Sequence, residues 1–147
     1  MSTLTNGQKR IEGVATHKLW WLALAAGVTA FIGNLIVFFV AQNLLGLSLM
    51  IPQSLGSTTL APLSIAPILV TSIIPAIAAA VLLAILGRFV KRPFRVFQII
   101  AAIVLLLSFG GPLNLPIGGA EKVVLATMHV LTAVAIVVIL SALARKQ

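Results

Sequence analysis

Four apolar runs, separated by short polar or turn-forming stretches, organise the chain. The first covers about residues 19–45, and at ~1.5 Å of rise per residue it is long enough to cross a bilayer with some tilt. It is longer than the apolar core of a secretory signal, and no small-residue cleavage site follows it, so an uncleaved helix is expected. The second run covers about residues 62–87. Pro62 suits a first helical turn, whereas Pro67 and Pro75 fall inside the run and predict a bend. The third covers about residues 96–112 and runs out at Gly110-Gly111-Pro112, where glycine can end a helix and proline cannot continue one. The fourth covers about residues 121–143. Between the first two lies an uncharged, turn-rich segment, residues 46–61, expected at headgroup depth. Residues 1–17 form a polar tail, leaving residues 18–147 as one transmembrane unit. The fold expected is all-α: a polytopic membrane protein built as a four-transmembrane-helix bundle.

Charge then orients the bundle. Lys9, Arg10 and Lys18 precede the first run, and Arg88, Lys91, Arg92 and Arg95 lie between the second and third. Arg145 and Lys146 follow the fourth, so nine of the ten basic residues fall on one side and only Lys122 on the other. The positive-inside rule puts both termini and the central turn in the cytoplasm. Trp20 and Trp21 suit the aromatic belt at that same interface. The net charge of +8 is therefore distributed over helix ends rather than gathered in one patch, which speaks against nucleic acid. The central turn, interleaved with Phe89 and Phe94, is suited to anionic lipid headgroups, at about 1 kcal/mol per basic residue near the surface.

Composition narrows the chemistry. The chain is 61% hydrophobic and 8% charged, where a soluble domain carries about 25% charge. It has no Asp, Cys or Tyr, and its only acids are Glu12 and Glu121. Thiolate metal sites, disulfides, cysteine nucleophiles and paired-carboxylate catalysis are thereby excluded within the chain. His17 sits at the opposite edge of the membrane from His129, so the two histidines cannot share a haem iron. No catalytic residue, cofactor or metal is expected.

Small residues recur at helical spacing, with Ala26, Ala30 and Gly33 on the first helix and Ala76, Ala80, Ala84 and Gly87 on the second. Such rows let helix backbones approach closely in lipid. More informative are polar residues inside the runs, since each costs free energy unless it finds a partner. Asn34 lies about 22 Å from the cytoplasmic start of its helix, and His129 about 10–12 Å below the outer end of the fourth. Ser108, Thr71 and Ser72 fall near the same depth, and Thr132 shares the face of His129. All four helices thus offer a polar group to one layer of the outer leaflet. Two readings stand. The layer can hold the bundle together by hydrogen bonds, or it can form a site with His129 as its ionisable member.

At LLLSFGGPL (105–113) and ATMHVLTA (126–133) the chain resembles a bacterial family of small four-helix integral membrane proteins of unknown function. The resemblance extends over about residues 19–143, and its matching positions are Ser108, Pro112, Met128 and His129. It implies a four-helix fold in a bacterial plasma membrane and brings no activity with it. Function is then expected to be that of a non-catalytic accessory or scaffold subunit in a membrane assembly. The alternative is a protein that binds or transports a small molecule or lipid through the polar layer around His129. Membrane lipids, and either a membrane-protein partner or a second copy of the chain, are the partners to expect.

Overall fold

A computed structural model describes residues 13–53 and 57–146; Lys9, Arg10 and Glu12 lie outside them. The long helices are α1 (Leu19–Asn43), α2 (Ile65–Phe89), α3 (Pro93–Ser108) and α5 (Gly119–Leu143), with one short turn of helix, α4 (Gly110–Asn114), after α3. The continuous helical stretches Thr16–Asn43, Ile65–Phe89, Pro93–Asn114 and Gly119–Leu143 are each long and apolar enough to cross a membrane. This is the architecture of a small multi-pass membrane protein.

Polarity does not mark the inward side of these helices, and along α1 and the middle of α2 residue size does. On α1 the buried positions are Leu19, Ala23, Ala26, Gly27, Ala30, Asn34, Phe38 and Ala41, the three-and-four spacing of one helix face. Val28, Ile32 and Ile36, equally apolar but larger, face outward. The middle of α2 does the same, burying Ala76 and Ala80 while Ile74, Ile77, Val81 and Ile85 are exposed, whereas nearer its ends it buries Ile68, Leu83 and Leu86. In lipid, water gives no drive to bury bulky residues, so close backbone approach and dispersion select the small ones. α1 therefore packs closely on both α2 and α5. A Cβ on Gly27 would press on Ile73 of α2, and one on Gly33 would press on Leu131 of α5. α3 closes the ring by touching α2 and α5, which barely touch each other.

The basic end is tied by both chain ends. Ala15 N–H donates to the Ala144 carbonyl at 2.8 Å and Lys146 N–H to the Gly13 carbonyl at 2.9 Å, around an antiparallel bridge between Val14 and Arg145. Val14 is buried against Gly87, where an added Cβ would come within 2.7 Å of Val14 Cγ2. Arg145 donates from Nε to the Ser141 carbonyl at 3.0 Å and lies 4.7 Å above the centre of the buried Phe94 ring.

At the opposite end the uncharged segment is more ordered than its sequence suggests. Gly46, at φ +63°, turns the chain out of α1 in a conformation that favours glycine. Strands β1 (Met50–Pro52) and β2 (Leu60–Pro62) then pair antiparallel, with Ile51 opposite Ala61. Leu63 N–H donates to the Leu49 carbonyl at 2.8 Å, and both leucines are buried against Phe38, Ile68 and Leu125.

Prolines and glycines redistribute accordingly. Pro62 belongs to β2 and not to a helix, because α2 begins at Ile65. Pro67 consequently falls in the first turn, where its missing N–H has no intrahelical partner to serve. Pro75 alone is interior to α2. After α3, Gly110 and Gly111 do not end the helical stretch but open α4, and Pro112 sits within that turn's first residues, where proline is tolerated.

Candidate functional site

The apolar interior is divided in two. One cluster, at the basic end, gathers Leu19, Leu83, Phe94, Phe97, Ile136 and Leu140 among others. The second, under the hairpin, gathers Phe38, Leu49, Leu63, Ile68, Leu125 and Met128. Asn34, Ser72 and Thr132 occupy the seam between them.

Asn34 lies on the buried stripe of α1 between Ala30 and Phe38 and is only 3% exposed. Its Nδ2 donates to Thr132 Oγ1 of α5 at 2.8 Å and to Ser72 Oγ of α2 at 3.2 Å. The Ser72 hydroxyl donates to the Ile68 carbonyl at 2.8 Å, so it meets Asn34 as an acceptor, and this fixes which end of the amide faces it. One side chain thereby links three helices. Its other end is left over: Asn34 Oδ1 is buried with no hydrogen-bond partner. An unmet buried acceptor costs about 1–3 kcal/mol, and in lipid no water is at hand to relieve it.

Asn34 borders a cavity of about 680 Å³ enclosed by α2, α3 and α5. Its walls are chiefly apolar, among them Ile74 and Leu82 of α2, Ile100 and Val104 of α3, and Ile136 of α5, with Ile51 and Leu63 closing the hairpin end. The polar residues on its wall are Asn34, Thr71, Ser108, His129 and Thr132. Among the described residues no charged side chain lines it. Thr71, Ile74, Pro75 and Ala78 of α2, and Val104 of α3, are wall residues that are also exposed. The cavity therefore opens sideways, through the gap between α2 and α3, towards the lipid-facing surface. α3 leaves that gap because it buries only Pro93, Phe94 and Phe97, all near its start. Gln98, which donates to Ser141 Oγ of α5 at 3.3 Å, is its one side-chain hydrogen bond to another helix among the described residues.

His129 Nδ1 is 2.7 Å from the Leu125 carbonyl oxygen. A carbonyl can only accept, so Nδ1 carries a proton, and in the neutral ring Nε2 is then an acceptor. Thr71 donates to the Pro67 carbonyl at 2.7 Å and Ser108 to the Leu105 carbonyl at 2.7 Å. Pro75 lacks the N–H that the Thr71 carbonyl would otherwise receive. Among the described residues no group of three or more His, Cys, Asp or Glu is placed to hold a metal ion. The structure thus brings together on one wall five of the six polar residues picked out by depth, and joins the sixth, Ser72, to them through Asn34. Of the four basic residues of the central turn, Arg88, Lys91, Arg92 and Arg95, all are exposed at the basic end.

The family of unknown function DUF6069 matches residues 14–146. The chain belongs to the DUF6069 family. No curated protein and no solved structure matches it. Within this DUF6069 chain, Ser108, Met128 and His129, three of the four positions on which the resemblance rested, line the cavity. The fourth, Pro112, is buried in α4.

Sequence reasoning passed over several contributors. Met128, one residue before His129, reaches the same cavity wall. Ile51 lies in a segment without helical period, and Leu63 falls just before α2 rather than in its first turn, where the second run placed it. Gln98 and Ser141 had a signal, being polar residues inside two apolar runs, and together they tie α3 to α5.

Proposed function

We propose that this DUF6069 protein is a non-catalytic plasma-membrane protein of a bacterium, and that it binds a small, mostly apolar molecule drawn from the bilayer. One observation carries the reading: the cavity, within the ~300–1,000 Å³ range of small-molecule sites, is apolar with a few convergent polar groups and opens sideways. A ligand dissolved in the membrane reaches it through the gap between α2 and α3 without crossing water. The absence of charge on the wall suits an uncharged guest. Both termini and the central turn face the cytoplasm, on the strength of the basic residues gathered at that end, where the central turn holds anionic headgroups.

Native mass spectrometry of protein gently extracted from its own membranes tests the function. A discrete small mass is expected on the full chain, and it should fall away in His129→Leu while the protein remains folded. Other protein subunits at fixed stoichiometry, with no small mass, would replace the binding reading with that of an accessory subunit. Orientation is tested in intact cells with an impermeant maleimide, which the absence of native cysteine makes clean. Thr59→Cys should label and Lys91→Cys should not.

A further inference from the structure

Resting on the reading of the cavity as a binding site, a further step follows from the direction of its hydrogen bonds. Thr71 and Ser108 have each given their only proton to a carbonyl of their own helix, so each presents lone pairs alone to the cavity. The His129 proton on Nδ1 is held by Leu125, which in the neutral ring leaves Nε2 an acceptor. Asn34 has used its amide N–H₂ on Ser72 and Thr132, and its unpartnered Oδ1 is buried behind the wall, so it adds no donor to the cavity. Only Thr132, which receives one of those bonds, keeps a hydroxyl proton of its own. The wall is therefore biased strongly towards acceptors.

We propose that the cavity selects a neutral amphiphile whose polar end is a hydroxyl donor. A guest with only carbonyl, ester or ether oxygens would set acceptor against acceptor at His129, Thr71 and Ser108. Among the described residues an anionic headgroup would find no Lys or Arg on the wall, and a cation would find no carboxylate. A hydroxyl donates to His129 Nε2 and, by its own lone pair, takes the Thr132 proton. The apolar remainder of the guest lies against α2 and α3, where the opening is.

The test compares para-decylphenol with para-decylanisole, its O-methyl ether, which keeps the shape and removes the donor. Each is titrated against the full chain in phosphatidylcholine nanodiscs and followed by native mass spectrometry. The phenol should bind at least about tenfold more tightly, since a site built to bond a hydroxyl rejects the analogue that lacks one. His129→Leu should shrink that preference severalfold, since its ring bonds only its own helix. Ser108→Ala should shrink it less, and it carries the same test should His129→Leu not fold, because its hydroxyl also bonds only its own helix. Equal binding of phenol and ether would overturn the donor selectivity while leaving the cavity a binding site. Binding of neither would overturn the cavity reading and the selectivity with it. A preference that both variants leave untouched would place the phenol elsewhere and also overturn the proposal.

Discussion

Replacing Asn34 by leucine should damage this bundle less than removing the two groups Asn34 bonds. Interhelical hydrogen bonds in membrane proteins contribute about 0.6 kcal/mol each on average, so losing those to Ser72 and Thr132 costs about 1.2 kcal/mol. The same substitution removes the unpartnered Oδ1, and relief of a buried unmet acceptor returns about 1–3 kcal/mol. Leucine is nearly isosteric, and its extra volume has the cavity to enter. Asn34→Leu should therefore leave stability roughly unchanged or raise it by up to ~2 kcal/mol. The double variant Ser72→Ala/Thr132→Val forfeits the same two bonds but strands the amide N–H₂ as well, which adds about 1–3 kcal/mol and brings the cost to about 2–4 kcal/mol. Reversible unfolding in bicelles by sodium dodecyl sulfate, read by circular dichroism, would measure both. The reasoning fails if Asn34→Leu loses more than the double variant, for then Oδ1 has a partner in the membrane and the amide is a net stabiliser.

Gly87→Ala should loosen the chain ends without unfolding the bundle. The new methyl meets the branched Cβ of Val14, which cannot rotate away, at a cost of about 1–3 kcal/mol, against about 0.5–1 kcal/mol gained in helix propensity. Hydrogen exchange should then quicken at the amides of Ala15 and Lys146 and nowhere in α5. Gly33→Ala should show no comparable effect, since it meets only the flexible tip of Leu131. Changing Arg88, Lys91, Arg92 and Arg95 together to glutamine should weaken retention of anionic lipid by about 1 kcal/mol per residue. Native mass spectrometry in mixed phosphatidylglycerol and phosphatidylcholine nanodiscs would count the lipids lost. Added salt should erase the difference between the two proteins.

Legibility in the sequence followed the physics of the solvent. The four long helices were visible because only such runs span hydrocarbon, and the layer of Asn34, Ser72 and Thr132 was visible because polar groups there stand out against 61% apolar residues. Helix faces were harder to read. With Ala30 buried and Ile32 exposed, both apolar, no contrast of polarity marks the inward side, and only the spacing of small residues hints at it. The hairpin at Met50–Pro52 and Leu60–Pro62 was missed because three-residue strands carry no period. Pro67 was read as a bend because the start of α2 was placed at Pro62; moving that start to Ile65 turns the same proline into a first-turn residue.

The cavity itself could not be read from the sequence, because it arises from what α3 does not bury. Beyond Gln98, no residue of α3 is buried, so the helix is held at Phe94 and Phe97 and leaves the space facing α2 and α5 unfilled by protein. Open to hydrocarbon between α2 and α3, a space of about 680 Å³ does not stay empty, because its lining would forgo dispersion contacts that membrane molecules supply. Something from the membrane must fill it. A hydrocarbon chain alone restores the lost dispersion at the gap between α2 and α3, yet it offers nothing to His129, Thr71 or Ser108 on the wall. A guest with an apolar body and a donor at its tip answers both demands at once. That is why the run of acceptors on the wall, rather than the size of the cavity, is the feature that separates a binding site from a lipid-filled gap.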